Sequence, residues 1–235
     1  MKRMILLFSI LSLVSIRCET AQQILTEMEK SSGGLTTQEI TAGLKQALTI
    51  GAENSGNLLS ATDGFFKNAA VKILLPEEAQ KVEKTLRDLG MSSLVDKAVL
   101  SLNRAAEDAA TKAAPIFRGA ILQMSIQDAM GILKGGDFAA TNYLKGKTTA
   151  ALTAAFKPVI ESSLNKVNAT KYWGDVFNTY NKFSTTKINP DLSGYVTERA
   201  LNGIFHQVSL EEQKIRRDPL ARTTELLKKV FGRAS

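Results

Sequence analysis

Apolar residues recur every three or four positions along most of this chain, the period of helices packed by one face. Ile40, Leu44, Ala47 and Leu48 set the pattern. The stretch before them, Thr36 to Glu39, fits a capping box: a threonine hydroxyl takes an orphan N–H and Glu39 reaches back. Leu35 and Ile40 flank that box as a hydrophobic staple, and Gly33-Gly34 makes a turn ahead of it. Val82, Leu86 and Leu89 form the next stripe, opened by Pro76, Glu77 and Glu78 and closed by Gly90. From Ser92, the positions Leu94, Val95, Ala98, Leu102, Ala105, Ala109 and Ala113 predict a long helix, with a kink or break at Pro115. Ser125 to Asp128 repeats the capping-box pattern, and Gly135-Gly136 closes that helix. Phe138, Tyr143 and Leu144 mark another helix. Ala151 to Val167 marks one more, with a kink at Pro158. Trp173, Phe177 and Tyr180 form an aromatic stripe, for which core packing is the expected role. Asn189 to Gly194 reads as a loop. Val196, Ala200, Ile204, Phe205 and Val208 share one helical face. Asp218-Pro219 opens the last helix, which ends at Gly232.

One stretch breaks the period. Asp63-Gly64 is a turn signal, and Val71 to Leu75 is a short apolar run, read as an extended connector or a small strand. The expected fold class is therefore all-α: a single bundle domain of eight or nine helices over 34–232, with at most one short strand or hairpin near 63–75. Composition agrees. Aromatics make up only 6% of the 235 residues, and alanine, the best helix former, is abundant.

The first residues follow a different pattern. Lys2 and Arg3 precede an apolar run from Met4 to Ile16 broken only by Ser9, Ser12 and Ser15. As a helix it would be roughly 20 Å long against a hydrocarbon core of ~30 Å, too short to span comfortably. That is the pattern of a secretory signal. Residues 1–17 are expected to be a signal peptide and 18–33 a linker or first helix. Cys18, the one cysteine, stands where a bacterial lipoprotein box places the residue to be lipidated, although Ile16 and Arg17 replace its small residues. Lipidation of Cys18, plain cleavage near Cys18 to Ala21, and an unprocessed incidental thiol are the three readings. A single cysteine rules out a disulfide within the chain and a cysteine metal cluster, so no metal site is expected.

The formal charge of +7 changes the picture little. Lys2, Arg3 and Arg17 carry three of those charges, and the tail from Leu210 to Ser235 contributes three more. The body is close to neutral, so no nucleic-acid partner is expected. The tail itself is amphipathic. Ile215, Leu220, Leu226, Leu227, Val230 and Phe231 are apolar; Arg216, Arg217, Arg222, Lys228 and Lys229 are basic. It would form a membrane or partner surface, or it would dock on the body with its charges in water.

The densest polar pattern is "LNRAAEDAATKAAPIF", Leu102 to Phe117. Asn103 and Glu107 are four apart, as are Arg104 and Asp108, so each pair shares a helical face. These four are the candidate ligand-binding residues, with Arg104 as an anion ligand oriented by Glu107 in a cavity between helices. The alternative is an ion-paired, closely packed stripe. His206, the one histidine, has no catalytic partner at a fixed spacing; a half-buried, hydrogen-bonded position is expected. Glu53, Asp63, Glu107, Asp128 and Asp137 are scattered. "KGGDFAAT" lacks the G-x-x-x-x-G-K-[ST] phosphate loop, and Asp137 is read as a helix N-cap. No catalytic residue is assigned and no cofactor is expected.

Several segments carry a family resemblance: "LNRAAE", "PIF", "QMSIQDAMGILKGGDFAAT", "YVTERALNGIF" and "IRRDPLARTTELLKKVF". From about Gly34 to Gly232, in the same order, the chain resembles the bacterial DUF4197 family. The resemblance implies an exported, often lipoprotein-like, mainly helical protein of unknown activity, with no catalytic residues to carry over. The expectation is a non-enzymatic envelope protein, periplasmic or membrane-anchored, that binds a lipid, an amphipathic ligand or a protein partner. The rival is an enzyme of an unlisted class using Arg104, Glu107 and His206.

Overall fold

The computed structural model describes residues 36–183, 189–222 and 224–231. The expected signal peptide (1–17), Cys18, the 18–33 linker, the Gly33-Gly34 turn, Leu35 and Gly232 lie outside the described residues, as do the Phe177 and Tyr180 side chains of the aromatic stripe. The described helices are α1 (Thr37–Ser60), α2 (Gln80–Asp88), α3 (Ser92–Ala110), α4 (Ala113–Leu122), α5 (Ile126–Lys134), α6 (Ala139–Lys166), α7 (Ala169–Phe183), α8 (Leu192–Arg217) and α9 (Glu225–Phe231). Short 3₁₀ turns occupy Glu77–Ala79 and Pro219–Ala221. No strand occurs among the described residues; the fold is all-α.

Helices α1, α3, α6 and α8 enclose the core, with α4 packed against α1 and α6 and α9 against α1. Alanines 105, 106, 109, 110 and 113 are buried, which lets neighbouring backbones approach closely. Larger side chains fill the rest, including the edge-to-face pair Phe117 and Phe205, with centroids 5.8 Å apart. Both expected capping boxes form. The Thr36 hydroxyl accepts from the Glu39 N–H at 3.2 Å, and Glu39 accepts from the Thr36 N–H at 2.8 Å. Ser125 and Asp128 do the same at 3.1 and 3.0 Å.

The two interior prolines behave differently. The break expected at Pro115 falls at Thr111-Lys112, because proline has no N–H for the carbonyl four residues back and its ring clashes there. Pro115 then sits in the first turn of α4, where that N–H is not needed. At Pro158 there is no break. The two helices expected over 138–167 are one, α6. Its buried stripe Leu144, Thr148, Leu152, Phe156, Ile160 and Leu164 continues across the proline, and packing outweighs one lost bond.

The tail also differs from expectation. Asp218 ends α8 rather than opening the last helix, and α9 starts only at Glu225. Arg222 turns back between them, its guanidinium donating to the carbonyls of Ile215 at 3.1 Å and Arg216 at 2.9 Å. Those are last-turn carbonyls with no helical partner of their own.

Candidate functional site

The stretch that breaks the helical period, 61–76, shapes the most distinctive surface. It begins with a tight turn in which Asp63 adopts φ +68°. Gly64 is required there, since a side-chain carbon would press on the Leu59 carbonyl at 2.8 Å and the Ala61 carbonyl at 2.9 Å. Residues 72–76 then belong to neither helix nor strand. Asn103 holds them in place. Its amide donates to the Ile73 carbonyl at 2.8 Å and accepts from the Ile73 N–H at 2.8 Å. Glu107 holds the turn, one oxygen accepting from the N–H groups of Phe65 and Phe66, both at 3.1 Å. Its other oxygen binds Arg104 at 2.5 Å, and Arg104 reaches Asp63 at 2.7 Å.

Three of the four predicted residues therefore converge, but on their own chain. Asn103, Arg104 and Glu107 fasten the 61–76 connector to α3. Asp108 faces elsewhere and accepts from the Ser163 hydroxyl of α6 at 2.6 Å. The guanidinium of Arg104 is held fully charged, mainly by the Glu107 bond and then by Asp63.

In front of the fastened connector lies an open groove of about 420 Å³. One wall is Ala70 to Leu75 with Glu77 and Gln80. The other is a single face of α8: Tyr195, Arg199, Asn202, Gly203 and His206. The Tyr195 hydroxyl donates to the Leu74 carbonyl at 3.0 Å and closes one side; burial pushes its own pKa upward. Arg199 rests 5.3 Å from the Tyr195 ring centre, and Lys72 lies 4.3 Å from that of Phe66. No carboxylate comes within 4.0 Å of either cation among the described residues. His206 is exposed rather than half-buried, because Ile204 and Val208, two positions to either side, face the core and turn it outward. Neither Arg104 nor Glu107 lines this groove.

Of the groove residues, the Val71 to Leu75 run and His206 were singled out in the sequence, whereas Tyr195, Arg199 and Asn202 were missed. Their signal was present: Tyr195, Arg199, Asn202 and His206 fall at i, i+4, i+7 and i+11, a polar stripe beside the buried face of α8.

The basic tail separates into two groups. Arg216 binds Glu212 at 2.9 Å and donates to the Ile132 carbonyl at 2.9 Å; Arg222 is buried. These two are internal fastenings. Arg217 pairs with Asp137, Lys228 pairs with Glu225 at 2.8 Å, and both stay exposed with Lys229. The apolar side of α9 docks on the body: Leu227, Val230 and Phe231 are buried.

Asp137 does not cap α6; the N-cap residue is Phe138, and no side chain there makes a cap bond. Glu212 of α8 supplies the acceptor instead, taking the Ala140 N–H at 3.0 Å and the Thr141 N–H at 2.8 Å. A buried carboxylate at a positive helix end meets both the hydrogen-bonding and the charge requirement.

No group of three metal-ligating side chains occurs among the described residues, and no described helix is long and apolar enough to cross a membrane. No curated protein and no solved structure matches the chain. Residues 34–232 match the family described as "Protein of unknown function (DUF4197)". That match takes in the described helices and both walls of the groove, and the chain belongs to this family.

Proposed function

We propose that this chain is an exported, non-enzymatic envelope protein, anchored through Cys18 or free in the periplasm, that binds an amphipathic anion in the groove between the 70–75 connector and α8. The carrying observation is the lining of that groove. Val71, Ile73, Leu74 and Leu75 give it an apolar side, while Lys72 and Arg199 present cations without carboxylate partners. Its volume falls in the ~300–1,000 Å³ range of small-molecule sites. Export is supported by Lys2, Arg3 and the Met4 to Ile16 run. The bonds made by both oxygens of Glu107 and by Arg104 favour binding over an enzyme built on those two residues.

The test is calorimetric titration with decyl phosphate. The unsubstituted chain binds, Lys72→Ala and Arg199→Ala weaken binding at least tenfold, and inorganic phosphate alone binds far more weakly. Equal affinity in Arg199→Ala would overturn the groove. Recovery of bare, unprocessed chain from the cytosol by native mass spectrometry would overturn the envelope assignment.

A further inference from the structure

None of the nine residues of helix α2 is buried. With the start of α3 it forms a helical hairpin that turns at Leu89-Gly90-Met91, where Gly90 takes φ +81°. Leu89, Met91 and Leu94 gather at and beside that turn, and Val82 lies about two helical turns down α2. Val82 is 45% exposed, Leu89 70%, Met91 44% and Leu94 53%. Water contact on this scale, concentrated at one projecting end, calls for something to cover it.

The charges around the tip are sorted. Arg87 binds Glu83 at 2.9 Å and Asp96 at 3.0 Å. It thereby engages two of the three carboxylates between Lys81 and Lys97, and Asp88 is the third. Lys81, Lys84 and Lys97 are exposed and have no carboxylate within 4.0 Å among the described residues. Glu77 and Glu78 lie at the base of the hairpin, in the 3₁₀ turn before α2 and roughly 17–19 Å from Leu89 along the chain axis.

We propose that the α2–α3 tip seats in an anionic lipid interface, with Leu89, Met91 and Leu94 among the acyl chains and Lys81, Lys84 and Lys97 at the headgroups. This goes beyond the groove reading and does not depend on it. A second copy of the chain fits less well. A two-fold contact through this tip would set the exposed Lys81, Lys84 and Lys97 against their own copies. Lipid needs no matching surface. Apolar side chains sinking about 5–10 Å with lysines above them form the usual interfacial arrangement, and each lysine adds attraction to an anionic leaflet.

The experiment uses the full chain carrying Leu89→Trp, mixed with vesicles of phosphatidylglycerol and phosphatidylethanolamine whose acyl chains are brominated. Contact with the acyl chains quenches the new indole, a readout that anchoring elsewhere in the chain does not produce. The expected result is at least twofold stronger quenching than in the unsubstituted chain, whose indole is Trp173. Phosphatidylcholine vesicles, or Lys84→Gln with Lys97→Gln in the same background, should reduce it several-fold. Because Leu89 is exposed, Leu89→Asp should leave the melting temperature unchanged while lowering vesicle binding. Quenching equal to that of the unsubstituted chain overturns the proposal. A concentration-dependent dimer abolished by Leu89→Asp, without tip quenching, also overturns it and assigns the tip to a second copy.

Discussion

Glu212 takes two hydrogen bonds from a single residue: the N–H and the hydroxyl of Thr141 both donate to one carboxylate oxygen at 2.8 Å. The other oxygen receives the Ala140 N–H and the Arg216 guanidinium. One buried side chain thus joins the start of α6, the C-terminal part of α8 and, through Arg216, the end of α5. Glu212→Ala leaves those donors and a largely buried arginine without their acceptor. The expected cost is about 3–5 kcal/mol, read as a lowered urea midpoint. Glu212→Gln should cost less, since its amide oxygen retains part of the bonding. An unchanged midpoint in the alanine variant would remove Glu212 from the framework.

Asn103 answers both polar groups of Ile73 at once, which an aspartate cannot do. Asn103→Ala leaves a buried N–H and a buried carbonyl unmatched, at about 2–5 kcal/mol for the pair. Asn103→Asp should be as damaging or worse, because it turns a donor into an acceptor facing the Ile73 carbonyl. Hydrogen exchange at the Ile73 amide should accelerate in both variants. Unaltered exchange there would mean that the connector is held by something else.

Arg222 and Lys229 look alike in the sequence and should respond differently. Arg222→Ala removes two charge-assisted bonds to the end of α8 and should cost about 2–4 kcal/mol. Lys229→Ala, at an exposed position, should stay within about 0.5 kcal/mol. Equal effects in thermal denaturation would contradict the division of the tail into internal and surface cations.

Acid stability follows from the caps. Asp191 is held below the ordinary carboxylate range by the Gly194 N–H first, aided by Ser193 and Lys157. Asp128 is lowered by Ser125, Glu39 by Thr36, and Asp63 by Lys67 and then Arg104. A lowered folded pKa means that the contribution is complete above about pH 4, the unfolded value, and is lost as pH falls through the folded one. Urea midpoints should stay level from pH 7 to about 5 and drop below about 4. Asp191→Asn should flatten part of that drop. A fall that begins above pH 6 would contradict this assignment.

Gly203 tests how closely the connector approaches α8. A side-chain carbon there would lie 2.6 Å from the Phe65 ring and 3.3 Å from Val71. Phe65 is fully buried, so Gly203→Ala should cost about 1–3 kcal/mol by overpacking and shift the groove wall. A variant as stable as its parent would mean that the Phe65 ring has room to move.

What the sequence revealed depended on distance along the chain. Both capping boxes were legible because their partners are three residues apart. The buried face of α8 was legible because Val196, Ala200, Ile204 and Val208 repeat at helical spacing. The start of α6 was not, since its acceptor lies in another helix and Asp137, the nearer carboxylate, pairs with Arg217 instead. Asn103, Arg104 and Glu107 stood out as a cluster, but what they bind is a turn and a connector about 30 to 40 positions earlier. The groove was hidden for the same reason: the Tyr195 hydroxyl meets a carbonyl 121 positions away.

That dependence also sets an order of assembly. The acceptor that completes the first turn of α6 is synthesised 71 residues after Thr141, a delay of roughly 4–14 s at ~5–20 residues per second. Until Glu212 arrives, a nascent chain holds a 28-residue helix with an unfinished leading end. A truncated chain ending before Glu212 should accordingly fray at Ala140 and Thr141 while the stretch around Phe156 stays wound.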